Sequence, residues 1–88
     1  MISAEQIKMA RSALGWSIEV LASHCAVSSR TVKRIESQTG IPVATAANLK
    51  LIRVTLETAG IEFIGTPEDG PGIRLWSQSD SSKHNNLF

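Results

Sequence analysis

Residues 17–37, SIEVLASHCAVSSRTVKRIES, decide how this chain is read. Ser17 is a good N-cap, and the spacing predicts a helix over about Ile18 to Cys25. Leu21, Ala22 and Cys25 form its inner face, and Val20 lies at its edge. Ala22 is small, as a close crossing of two helices requires. Ala26-Val27-Ser28 reads as a turn in which Val27 plugs the space between two helices and Ser28 caps the second. That second helix covers about Ser29 to Ser37. On a helical wheel Val32 and Ile35 point inward, whereas Ser29, Arg30, Lys33, Arg34 and Ser37 fall on one outward arc of ~140°. Thr31 lies between the two faces, and Glu36 borders the inner one.

The flanking segments supply a core for this pair. Upstream, Ser3 and Gln6 are spaced as a capping box. Ile7, Ala10 and Leu14 make one apolar stripe with Arg11 at its edge, and Gly15 is the expected stop. Downstream, Pro42 prevents the helix from continuing, and Ile41 is expected to plug the core. A fourth helix is predicted from near Thr45 to Ala59, with Gly60 as its stop. Ala46, Leu49, Ile52, Leu56 and Ala59 form its main stripe, and Leu51, Val54 and Thr55 fall elsewhere on the wheel.

Ile61–Ile64 and Ile73–Trp76 read as two short strands joined by a loop over 65–72, which is dense in glycine and proline. Ile61, Phe63, Ile73 and Leu75 share one face, and Ile64 and Trp76 share the other. An isolated hairpin is marginal in water, so one face is expected to pack on the fourth helix. The other face, with Leu51 and Val54, offers contacts to a second subunit. The residues from Ser77 onward are polar and expected to be disordered. The division is thus 1–60, a helical domain, 61–76, a hairpin for packing or dimerisation, and 77–88, a tail. The fold class is mainly α: a bundle of four to five helices with a C-terminal β-hairpin.

Eighty-eight residues allow one small domain, and 42% hydrophobic with 19% charged residues is an ordinary globular balance. Apolar runs are far short of the ~18 residues of a membrane span, and no basic-then-apolar leader opens the chain, so a cytoplasmic protein is expected. Cys25 is the single cysteine, which excludes an intramolecular disulfide and any cysteine-based zinc site on one chain. Its neighbour His24 has no local acid to complete a metal or catalytic site, so neither a metal, a cofactor nor an enzyme is expected. The formal charge of +1 hides an asymmetry. Residues 1–60 hold seven basic and four acidic side chains, a net of +3, and residues 61–88 hold two and four, a net of −2.

A basic helical part is compatible with nucleic acid. The arc on the second helix of the central pair is more specific. Arginine grips guanine O6 and N7, or a phosphate, with two hydrogen bonds. Serine at a helix N-terminus donates to phosphate where the backbone amides also face the anion.

The succession A-R-x-x-L-G-W-S…L-A…V-S…T-V-x-R-I-E between Gln6 and Glu36 resembles the XRE (Cro and phage-repressor type) helix-turn-helix family, over about residues 3–60. The continuation A-G-I-E-F-I…G-P-G-I-R-L resembles a tail on small bacterial members. The resemblance implies a lambda-repressor-like bundle that binds double-stranded operator DNA as a homodimer on a palindrome, with no cofactor. Its base-reading positions fall on Ser28, Ser29, Arg30 and Arg34, with Thr31 and Lys33 beside them, and Ser37 can add a phosphate contact. A family ion pair falls on Arg11 and Glu36. Two positions differ. Ile18 stands where the family commonly has a phosphate-binding Gln, and Ser37-Gln38 where it has Asn-Gly. Ile18 is left to touch a thymine methyl or to pack. Ser37, Gln38, Thr39 and the amides opening the fourth helix are the substitutes for the phosphate clamp. The function expected is a transcriptional regulator, an autoregulatory repressor, controlled by its own concentration or by a partner protein. The alternative is a protein-interaction module of antitoxin or anti-regulator kind on the same fold.

Overall fold

The computed structural model describes residues 2–76. Four helices precede a two-stranded antiparallel hairpin: α1 Ala4–Ala13, α2 Ile18–Cys25, α3 Ser29–Glu36, α4 Ala46–Thr58, β1 Ile61–Thr66 and β2 Asp69–Leu75. The molecule is mostly helical. The tail 77–88, expected to be disordered, lies outside the described residues.

Each helix starts where a side chain satisfies its first free amides. The hydroxyls of Ser3, Ser17, Ser28 and Thr45 accept from the N–H groups of Gln6, Val20, Thr31 and Asn48. At α1 the box is reciprocal, since Gln6 Oε1 accepts from Ser3 N at 2.9 Å. Ile7, Leu21, Val32, Ile35, Ile52 and Leu56 are fully buried and, with Ala10, Cys25, Val27 and Ile61, form one core. Leu14, Trp16, Ile18 and Leu49 pack around it. Between α2 and α3 the chain turns on Ala26, whose φ of 59° is the left-handed region that glycine usually fills. The Cys25 thiol is inert by position: it is buried, lies 3.8 Å from Ala22 O, and burial pushes its pKa up.

The structure corrects three expectations. Ile41 is not a core plug: it is 39% exposed, and its neighbour Pro42 is buried instead. The reason lies in Gln38, whose amide closes the loop on Val43, with Oε1 accepting from Val43 N at 2.7 Å and Nε2 donating to Val43 O at 3.3 Å. Pro42 is the buried residue of the closed loop, and Ile2 at the N-terminus joins the core. On α4 the buried stripe is narrower than expected, because Ala46 is exposed and Ala59 half-buried.

The third correction concerns residues 65–72, which are largely strand and not loop. Ile61 pairs with Leu75, Phe63 with Ile73, Ile64 with Gly72 and Thr66 with Asp69, with a register shift at Gly65. Gly65 sits at φ +73°, and a Cβ there would lie 2.2 Å from Gly70 O, so only glycine lets the strands approach. Pro71, lacking an N–H, falls where the shift interrupts the ladder and costs no strand bond. The hairpin packs on α1 as well as α4. Gln6 Nε2 donates to Ile64 O and to Gly72 O, both at 3.0 Å, so the residue that caps α1 also holds the hairpin.

Candidate nucleic-acid interface

α3 separates its two faces as the wheel requires. Val32 and Ile35 are fully buried and Glu36 is 4% exposed. Ser28, Ser29, Arg30, Lys33, Arg34 and Ser37 are exposed, and Thr31 is half-buried. Arg30, Thr31, Lys33, Arg34 and Ser37 together line one shallow concavity. The structure thus brings five of the seven candidate positions onto one surface, with Ser28 joined to it through Thr31 and Ser29 exposed in the first turn of the same helix.

The three cations on that surface have no hydrogen bond or ion pair from their side chains to any described residue. Lys33 and Arg34 occupy the last turn, where the carbonyl end of the helix favours positive charge, and no acid stands in the first turn. Their charge therefore faces outward uncompensated. The hydroxyls are more constrained. Ser28 Oγ donates to Thr31 Oγ1 at 2.9 Å while accepting from Thr31 N at 3.2 Å. Ser37 Oγ donates to Arg34 O at 2.7 Å, which leaves it acceptor capacity but commits its proton. Contacts to an anion at Ser28 or Ser37 need these hydroxyls to rotate.

Behind this face stands the Arg11–Glu36 pair. Arg11 Nε lies 2.7 Å from Glu36 Oε2 and Nη2 lies 2.9 Å from Oε1, a two-pronged contact. The remaining prong, Nη1, donates to Trp16 O at 2.9 Å. One guanidinium therefore ties α1, the α1–α2 turn and the end of α3 together. The hydrogen bond to Glu36 raises the Arg11 pKa, so the cation is permanent.

Sequence reasoning left two roles open, and the geometry assigns them. Ile18 is half-buried and packs against the core. Gln38 is committed to closing the loop on Val43, with a further 3.4 Å contact from Nε2 to Arg34 O. It braces the end of α3 and is not available as a clamp. A feature missed from sequence is the stacking of His24 on Trp16, with ring centroids 4.5 Å apart and planes 19° apart. Their eight-residue separation carries no helical periodicity across the turn, so no pattern signals it.

Of the positions expected at a subunit contact, Leu51, Val54 and Trp76 are 45%, 44% and 56% exposed. Ile64 is half-buried beside Gly72. Trp76 is engaged within its own hairpin: Nε1 donates to Glu62 Oε1 at 3.0 Å, and the Arg74 guanidinium lies 5.7 Å from its ring. Among the described residues no group of three or more His, Cys, Asp or Glu could hold a metal, and no helix is long and apolar enough to cross a membrane. No protein-family model matches the chain, and no curated protein matches it.

Proposed function

We propose that the chain is a sequence-specific DNA-binding transcriptional regulator, with α2 and α3 as a lambda-repressor-like helix-turn-helix of XRE type. The observation that carries this reading is the exposed triad Arg30, Lys33 and Arg34, unpaired among the described residues, on a helix whose other face is fully buried. An eight-residue helix of this kind fits the major groove, which is wide enough to admit one. Arg30 and Arg34 read base edges. Lys33, Ser28, Ser29, Thr31 and Ser37 hold phosphates or adjoining bases. A homodimer places two α3 helices about 34 Å apart, one turn of the duplex. Leu51, Val54, Ile64 and Trp76 supply its contacts, and the role in this reading is autoregulatory repression in the cytoplasm.

Fluorescence anisotropy with DNA from upstream of the chain's own coding sequence tests this reading. Arg34→Ala should cost about 1–3 kcal/mol and relax preference at one base position. Lys33→Ala should weaken all sequences alike and lower the slope of log affinity against log salt by about 1. Affinity that ignores salt, or survives both substitutions, refutes the reading.

One observation favours the second reading, an interaction module with weak DNA binding. Ile18 packs into the protein at the position where the resemblance places a phosphate contact. Under that reading the exposed α4 side chains Leu51 and Val54 carry the function.

A further inference from the structure

Along α4, Ala46, Leu49, Lys50 and Arg53 recur at helical spacing and, with Ile2, line a depression outside the α3 surface. Ile2 is buried, Leu49 and Arg53 are half-buried, and Ala46 and Lys50 are exposed. Its floor is apolar and its rim is doubly cationic. The Arg53 Nε atom is buried and has no hydrogen-bond partner among the described residues, an exception in folded proteins that calls for an acceptor. Neither Lys50 nor Arg53 pairs with an acid among the described residues.

We propose that this depression docks a short acidic, amphipathic segment of a partner protein. One large apolar side chain lies over Ile2, Ala46 and Leu49, and a neighbouring carboxylate accepts from Arg53 and meets Lys50. Size decides between a side chain and a small molecule. The cavity holds about 220 Å³, below the ~300–1,000 Å³ of small-molecule pockets. The apolar floor decides against a DNA phosphate, which uses cations and leaves a hydrophobic wall unused. An amphipathic helix laid in a groove uses both. The proposal does not depend on DNA binding by α3.

The test is selection from a displayed library of random short peptides on the full chain. Binding is then measured to the wild type, Lys50→Glu, Ala46→Glu and Arg53→Gln. Ala46→Glu adds an acid to the first turn of α4, which the helix dipole favours, so it keeps the fold while repelling an acidic segment. The expected result is enrichment of peptides with an aromatic or aliphatic anchor beside Asp or Glu. Each of the three substitutions should weaken them by about tenfold or more, as befits a central anchor. Enrichment of nothing, of peptides without acids, or of peptides indifferent to the substitutions overturns the proposal. Two other outcomes overturn it as well: no acidic peptide with loss of DNA affinity in Lys50→Glu, or loss of self-association in sedimentation, which assigns the face to DNA or to a second copy.

Discussion

At the scale of single residues, the outward face of α3 depends on charges it does not display. Glu36 is almost completely buried, and its carboxylate is acceptable there because Arg11 satisfies both oxygens. Arg11→Met leaves that carboxylate in a low-dielectric site with no partner. The expected cost is about 3–5 kcal/mol, and replacing Glu36 by Leu in the same chain should recover most of it. Denaturant unfolding of the single and double variants measures both effects. If Arg11→Met left stability and DNA affinity unchanged, the pair would have no part in setting the recognition helix. Ala26 makes the opposite kind of prediction. A left-handed alanine costs about 1–2 kcal/mol, and glycine there gives back about 0.4–1 kcal/mol through the unfolded chain. Ala26→Gly should therefore raise stability by up to about 1 kcal/mol, seen as a higher Tm with DNA binding intact.

At the scale of elements, legibility followed the range of the interactions. Three of the four helix starts are legible because a cap and its amide are three residues apart, and the structure adds Thr45 as the cap of the fourth. The inner faces of α2 and α3 were readable because burial repeats at helical spacing. The hairpin was half readable. Its apolar strand ends showed, but Gly65, Gly70, Pro71 and Gly72 are loop formers used here inside paired strands, around a register shift that local composition does not encode. Ile41 misled because an isoleucine beside a proline looks buried until Gln38 is seen to close the loop around it. Least readable was the second role of Gln6, whose partners in the hairpin lie 58 and 66 positions along the chain. Gln6→Glu isolates that role. It keeps an acceptor for Ser3 N but sets a carboxylate oxygen against two carbonyls. A loss of about 2–3 kcal/mol at neutral pH is expected, recovered in part when acid protonates the new carboxyl into a donor. Amide exchange should accelerate in β1 and β2 well before it does in α3.

At the scale of the whole molecule, the chain divides its charge. The helical residues carry a net +3 and the remainder a net −2, so the excess of positive charge lies in the part holding α3. The fold supplies stiffness behind that charge: the core fixes the inner face of α3, Arg11 fixes its end, and Gln6 ties the hairpin to the same first helix. The central claim is that this stiff basic face reads DNA sequence. The most direct measurement is in-vitro selection of double-stranded DNA on the purified chain, run in parallel with a variant carrying Arg30→Ala and Arg34→Ala. The account predicts that the wild type enriches one palindromic site with half-sites about 34 Å apart and that the variant enriches none. Enrichment of no sequence by the wild type, or of the same site by both proteins, would contradict it.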